Sequence, residues 1–262
     1  MGKVAKNQVP RGATVNLPLL AFDFDGVLCD STEECIVSAW NAWLQIKGQE
    51  GFVMNPQEVP EPYQSEIRRL RSHVRTGGEY GVLLQALEDH RDIRTRAGYE
   101  ESVNTYRSVI KPFSELFFTA RDRMRNKDER HWLDLHTVYP GIPERLRELW
   151  SKFRIFVVTG KDRDAVKLFF KTFDLLLADD RIYDKDAGHD KLGAICKVAA
   201  QCNQPIQTLT FIDDNITHLI PVHEAGCRVF LAEWGYHTDE DLDIARSHGV
   251  PVLKLDTWFR MI

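Results

Sequence analysis

The part of the chain after about residue 139 alternates between short apolar runs and segments with helical spacing. The apolar runs predict strands at 154–158, 175–178, 208–212, 228–232 and 250–255. An earlier run, 19–24, predicts the first strand. Regular alternation of buried strands and helices is typical of a parallel sheet that is covered by helices on both faces. The sequence therefore predicts an α/β fold with a doubly wound, Rossmann-like parallel sheet.

The segment between the first strand and this alternating region has a different sequence pattern. Residues 31–137 contain one helix-like segment after another and few convincing strands. A chain of 262 residues, 43% of them hydrophobic, is long enough for one domain that carries a large insertion, or for two domains. We predict a flexible lead-in over residues 1–16, an α/β core from 17–30 and 138–262, and an inserted helical cap domain over 31–137.

The overall composition limits the partners and the compartment that can be expected. A net charge of -5 gives no general attraction to nucleic acid or to an anionic membrane surface. No apolar stretch reaches the roughly 20 residues of a membrane span, and no apolar run follows the basic N-terminus as in a secretory signal. Five cysteines without a CxxC pair are most simply free thiols. We expect a cytoplasmic monomer or homodimer with neither a nucleic acid nor a membrane partner.

Polar residues that directly follow the strands are the candidates for function, because ligands bind outside the carboxyl ends of such strands. Asp23 and Asp25 follow the first strand, and Asp213 and Asp214 follow the strand at 208–212. Clustered carboxylates repel one another unless a cation lies among them. Oxygen ligands, with no histidine or cysteine expected nearby, suit Mg²⁺. The sequence therefore predicts a magnesium site formed by these four residues.

The two aspartates after the first strand have separate predicted roles. Asp23 is the first residue beyond the strand, and its carboxylate could attack a phosphate and so divide hydrolysis into two easier steps. The turn at Gly26 lets Asp25 swing over Asp23, where it could donate and accept a proton. Asp23 is the candidate nucleophile, and Asp25 is the candidate general acid and base.

Three further positions suit the phosphoryl oxygens on which charge develops. Thr159 offers a hydroxyl, Gly160 a backbone N–H and Lys191 an ammonium group. Gly160 and Gly26 are predicted binding positions, whereas Thr159 and Lys191 are predicted catalytic residues. Lys185 lies close to Lys191 in the sequence and is a rival for the same role.

Four ordered segments resemble the motifs of the haloacid dehalogenase-like hydrolase superfamily. They are FDFDGVLCDS at 22–31, VVTG at 157–160, DKLGA at 190–194 and FIDDN at 211–215. The resemblance covers about 17–31 and 138–232, and it implies a helical cap between the first two motifs. It also implies that Asp23, the carbonyl of Asp25 and Asp214 bind magnesium. One departure is His218, where many relatives have another aspartate, so the division of labour between Asp213 and Asp214 stays open.

The resemblance implies an enzyme that hydrolyses a small phosphate monoester through an aspartyl-phosphate intermediate. Asp25 favours phosphate esters, because the dehalogenases of the family lack an aspartate at that position. The expected activity is similar to that of a phosphoglycolate phosphatase or a sugar-phosphate phosphatase, acting on a small phosphorylated metabolite. The alternatives are a phosphoryl-transferring mutase of the same superfamily and, less expected, an inactive phosphometabolite-binding protein.

Several residues of the predicted cap are open to two interpretations. Arg68, Arg71 and Arg75 recur at helical spacing, and a solvated polar face is favoured over a stripe that meets an acidic substrate. Arg121 belongs to a cluster of mixed charges and is interpreted as a surface residue. The aromatic residues around Phe117 are predicted to form the core of the cap.

Overall fold

The computed structural model describes residues 17–187 and 189–257, so the predicted lead-in lies outside the described residues. The six strands of the main sheet are β1 (Leu19–Phe22), β4 (Arg154–Val158), β5 (Ile182–Tyr183), β6 (Leu209–Asp213), β7 (Arg228–Ala232) and β8 (Val252–Leu253). Two further strands, β2 (Cys29–Asp30) and β3 (Thr137–Val138), pair in antiparallel fashion where the chain leaves and re-enters the core. The sequence had not indicated this pair.

The main sheet is parallel, with the strand order β5-β4-β1-β6-β7-β8. The chain builds outwards from β1 in one direction through β4 and β5, and in the other through β6, β7 and β8. This change of direction opens a crevice at the carboxyl end of β1, between β4 and β6. The prediction of a doubly wound parallel sheet is confirmed.

Helices cover both faces of the sheet, and β1 shows why its sequence is continuously apolar. Leu20 and Phe22 pack with the layer of α7 (Ile142–Trp150) and α8 (Arg163–Lys171). Leu19 and Ala21 pack in the opposite layer with α9 (Lys191–Gln201) and α10 (Ile216–Glu224), and α11 (Asp239–Ser247) adds to that side. Successive side chains of a strand point to opposite faces, so both sets must be apolar.

The predicted strand at 175–178 is wrong. Leu175 and Leu177 are buried in the core, which explains why this segment is apolar, whereas Leu176 is 83% exposed. The sheet edge beside β4 is instead occupied by β5, which pairs with Val157 and Val158. The side chains of 175–178 therefore pack against the sheet layer without joining the hydrogen-bond ladder.

The segment between β2 and β3 forms a helical cap. Its helices are α1 (Thr32–Ile46), α2 (Tyr63–Leu70), α3 (Glu79–Glu88), α4 (Arg96–Thr105), α5 (Arg107–Lys127) and α6 (Glu129–Asp134). Phe113 and Phe117 are buried in the cap core, as predicted. Among the helices of residues 17–187 and 189–257, none is both long enough and apolar enough to span a membrane.

Candidate active site

The turn after β1 places both motif aspartates at the crevice. The backbone N–H of Asp23 still donates to the carbonyl of Ile212, at 2.8 Å, so Asp23 is held at the end of the sheet. Gly26 then turns the chain with a φ of +81°. A Cβ atom at Gly26 would lie 1.9 Å from Oδ2 of Asp214, so only glycine fits this close approach.

Lys191 is the lysine that reaches the candidate nucleophile. It begins α9, and its Nζ lies 3.0 Å from Oδ2 of Asp23 and 3.4 Å from Oδ2 of Asp213. It also donates to the carbonyl of Val158 at 2.7 Å. Burial lowers the pKa of Lys191, but the two carboxylates outweigh this and raise it, so the ammonium form is maintained. Lys185 pairs instead with the exposed Asp186, at 2.8 Å.

The aspartates after β6 differ in their surroundings. Asp213 is fully buried and bonded to Lys191, to the backbone N–H of Asn215 at 2.8 Å and to Nδ1 of His218 at 3.2 Å. Burial alone would raise the pKa of Asp213, but Lys191 and His218 hold it well below its usual range. Asp213 is therefore held as a carboxylate by these partners.

Asp214 lines the cavity between core and cap, and its Oδ2 accepts a hydrogen bond from the backbone N–H of Tyr236, at 2.6 Å. Burial, followed by the charges of Asp213 and Asp23, raises the pKa of Asp214 far above its usual value. The pKa of Asp23 is also raised, chiefly by burial. The site thus has an excess of negative charge on the cavity side.

A bound metal ion would compensate this excess of negative charge. Asp23, Asp213 and His218 each offer a ligand atom, and these atoms lie within 4.8 Å of one another. A divalent cation would remove the repulsion that raises the pKa of Asp23 and Asp214. The expectation that no histidine lies nearby was wrong, because α10 carries His218 back to the end of β6. These residues could hold a metal ion.

Thr159 and Gly160 follow β4 and line the same cavity. The backbone N–H of Thr159 donates to the carbonyl of Tyr183 at 2.8 Å, and its Oγ1 accepts from the N–H of Lys161 at 3.1 Å. Apart from its two chain neighbours, a Cβ atom at Gly160 would meet no atom of residues 17–187 and 189–257 closer than 3.6 Å, so packing within these residues does not require glycine here. The carboxyl ends of β1, β4 and β6 thus bring the predicted site residues together.

Asp25 lies in a buried network of charges that sequence reasoning missed. Lys161 Nζ lies 3.1 Å from Oδ1 of Asp25, 2.9 Å from Oε2 of Glu34 and 3.1 Å from Nε2 of His136. Arg121 forms two hydrogen bonds of 2.8 Å with Glu34. Burial would raise the pKa of Asp25, but Lys161 and then Arg121 lower it. Asp25 is therefore held as a carboxylate by cations from both core and cap.

Two interpretations of cap arginines are corrected by these contacts. Arg121 is 2% exposed and is not a surface residue, because the carboxylate of Glu34 pairs with it inside the cap. Arg71 lines the cavity rather than a solvated face, whereas Arg68 is exposed and pairs with Glu33 at 2.8 Å. The turn Arg71–His73, which follows α2, redirects the chain, so helical spacing alone could not place Arg71.

A family model described as haloacid dehalogenase-like hydrolase matches residues 17–226. The chain belongs to the haloacid dehalogenase-like hydrolase family. The four motifs that suggested this resemblance lie at the carboxyl ends of β1, β4 and β6 and at the start of α9. Comparison with curated proteins gives no significant match.

Solved structures share the fold of this hydrolase at low identity. A predicted phosphatase from Clostridium acetobutylicum is 18% identical, with a TM-score of 0.59 over 94% of this chain and 97% of that chain. A predicted phosphoglycolate phosphatase from Haemophilus somnus is 15% identical, with a TM-score of 0.60 over 95% and 99%. A haloacid dehalogenase-like hydrolase from Bacteroides fragilis is 16% identical, with a TM-score of 0.59 over 94% and 100%. At these identities the likeness concerns the fold.

Proposed function

We propose that this hydrolase is a Mg²⁺-dependent phosphatase that cleaves a small phosphate monoester through an aspartyl-phosphate at Asp23. The observation that carries the proposal is the contact of 3.0 Å between Asp23 and Lys191 at the switch point of the sheet, next to Asp214. Bound Mg²⁺ would supply positive charge against the carboxylates and the phosphate, with Asp23, the Asp25 carbonyl and Asp214 as its protein ligands.

In the first step, the carboxylate of Asp23 forms a bond to phosphorus while the bond to the leaving oxygen breaks. Asp25 takes up a proton when the anionic ester binds beside it, because a neighbouring negative charge favours the neutral acid. It then gives this proton to the leaving oxygen, and the alcohol departs. Water then attacks phosphorus, Asp25 takes up the released proton, and inorganic phosphate leaves Asp23. Lys191, Thr159 and the backbone N–H of Gly160 hold the phosphoryl oxygens in both steps. The low pKa of Asp25 suits the second step, in which Asp25 acts as a base.

The size of the cavity supports a small substrate. Its volume is about 70 Å³, and residues of the cap cover it. A cover of this kind excludes water and macromolecular substrates from the phosphoryl group.

All five cysteines are free, which supports a reducing compartment such as the cytoplasm.

The decisive experiment measures phosphate release from p-nitrophenyl phosphate with Mg²⁺ and with EDTA. We expect turnover that depends on Mg²⁺ and a loss of at least about 10³-fold in Asp23→Asn, which keeps the shape of the side chain but not the nucleophile. Asp186→Asn, at an exposed residue outside the cavity, is the matched control. With a sugar phosphate as substrate, formation of an isomer instead of free phosphate would identify a mutase. No metal-dependent turnover of a broad panel of phosphate esters would contradict the proposal.

A further inference from the structure

Three arginines of the cap line the cavity, and two of them already have carboxylate partners. Arg121 is neutralised by Glu34, and Arg75 pairs with Glu100 at 3.3 Å. Arg71 forms no ion pair with any carboxylate of residues 17–187 and 189–257. Its Nε is buried and has no hydrogen-bond partner in the same part of the chain. Arg71 is thus a cation of the cavity wall whose charge the described protein groups leave unpaired.

The position of Arg71 is nevertheless fixed. Its Nη1 donates to the carbonyl of Val74 at 3.0 Å, and its guanidinium carbon lies 3.9 Å from the centre of the Tyr236 ring. The hydroxyl of Tyr236 donates to Asp30 at 2.7 Å, which anchors the ring. A guanidinium stacked on an aromatic ring keeps the donors at its edge for a planar or tetrahedral anion. Arg71 is therefore preorganised for an acceptor.

Tyr236 connects this cation to the metal end of the cavity. Its backbone N–H binds Asp214, and its ring supports Arg71. Asp23, Asp25 and Asp214 line the core side of the cavity, whereas Arg71 comes from the cap. If the transferred phosphate occupies the core side, the rest of a small substrate lies against Arg71.

We infer that the substrate carries a second anionic group, a carboxylate or a second phosphate, which binds Arg71 while the phosphate ester lies at Asp23. This inference rests on the proposed phosphatase function and names its substrate class. A bound anion would pair with the Arg71 guanidinium where it lines the cavity. A substrate with a neutral alcohol portion would leave the charge of Arg71 without a partner, so the site would discriminate against it.

The test compares pairs of esters that differ in the second anion. For the carboxylate the pair is 3-phosphoglycerate and glycerol 3-phosphate, and for the phosphate it is fructose 1,6-bisphosphate and fructose 6-phosphate. We expect kcat/KM of the wild type to favour the doubly anionic member of at least one pair by about 10- to 100-fold, mainly through KM. The pair that shows this preference identifies the anion.

Arg71→Gln should reduce that preference at least about tenfold, and Arg71→Lys should restore part of it, since lysine keeps the charge without the planar fork. Arg68→Gln removes an exposed arginine from the same part of the cap and should leave the preference unchanged. Equal kcat/KM within both pairs, or an equal loss in Arg71→Gln for both members of a pair, would overturn the inference. The second result would assign Arg71 to the transferred phosphate.

A separate readout distinguishes failure of the inference from failure of the proposed function. Calorimetric titration of Asp23→Asn with 3-phosphoglycerate, fructose 1,6-bisphosphate and their partners measures binding without turnover. Tighter binding of a doubly anionic ester that Arg71→Gln abolishes would support the anion site even if no ester were hydrolysed. Equal binding within both pairs would refute the anion site even if p-nitrophenyl phosphate were hydrolysed.

Discussion

The ammonium group of Lys161 lies 3.1 Å from Asp25 and 2.9 Å from Glu34 of the cap, so it joins the two carboxylates. Lys161 is fully buried, and so is Glu34. One cation of the core therefore fixes the candidate acid and base and, at the same time, a helix of the cap. The position of the cap and the orientation of Asp25 are coupled through this contact.

Replacing Lys161 by methionine should reduce both activity and stability. Without the ammonium, Asp25 loses its anchor, and kcat should fall about 100-fold. Glu34 and Asp25 would remain as buried charges with less compensation, so the free energy of unfolding should fall by about 3 kcal/mol. Steady-state kinetics and urea denaturation measure the two effects. Lys167→Met is the control, because Lys167 lies at the surface and pairs with the exposed Asp179. Wild-type kcat in Lys161→Met would contradict the coupling.

Gly26→Ala should damage the site more than a positive φ alone can explain. The new methyl group would meet Asp214 Oδ2 at 1.9 Å, which would displace the proposed metal ligand. Gly48 has a similar φ, +64°, and a Cβ atom built there would lie more than 4 Å from every described atom outside its chain neighbours, so Gly48→Ala isolates the backbone cost of about 1 kcal/mol. We expect Gly48→Ala to keep its kcat, and Gly26→Ala to lose most of its activity and more stability. Equal activities of the two variants would argue against a close approach at Gly26.

Acid should destabilise the protein through His136. Burial and the nearby Lys161 lower the pKa of His136 from 6.5 to about 4. As the pH falls below 6.5, the unfolded chain binds a proton that the folded chain takes up only near pH 4. The free energy of unfolding should therefore fall by up to about 3 kcal/mol over this window. Urea denaturation of the wild type and of His136→Gln at each pH gives the contribution of His136 as the difference between their free energies of unfolding. His248→Gln, at an exposed histidine, is the control. If the free energy of unfolding of His136→Gln depended on pH as in the wild type, His136 would not be the group responsible.

Mg²⁺ should stabilise the folded protein by removing repulsion between Asp23 and Asp214. At a concentration 100 times Kd, the gain should be about 2.7 kcal/mol, seen as a higher Tm. Asp214→Asn should lose this gain. Without metal it should be at least as stable as the wild type, because burial and neighbouring carboxylates already disfavour the charge of Asp214. Asp186→Asn should respond to Mg²⁺ like the wild type. An equal Mg²⁺ response in Asp214→Asn would exclude Asp214 as a ligand.

The sequence alone was sufficient for the parallel sheet and for the positions that meet at its carboxyl edge. Each of those signals is local: an apolar run long enough for a strand, followed at once by Asp23, Thr159 or Asp213. Parallel strands end at the same edge, so local order along the chain predicts proximity in space. Lys185 and Lys191 are only six positions apart, so the sequence leaves them as rivals for the same role. The structure distinguishes them, because Lys191 contacts Asp23 and Lys185 pairs with Asp186.

Only the tertiary structure determined which charges are buried and which remain unpaired. Glu34 is separated from Arg121 by 87 positions and from Lys161 by 127, and the helical spacing of the sequence gives no sign of either pair. Arg68 and Arg71 looked alike in the sequence, yet one pairs with Glu33 at the surface and the other lies over Tyr236, a residue of the core. The free energy of a charged side chain depends on the groups that packing brings around it, and those groups come from distant segments of the chain.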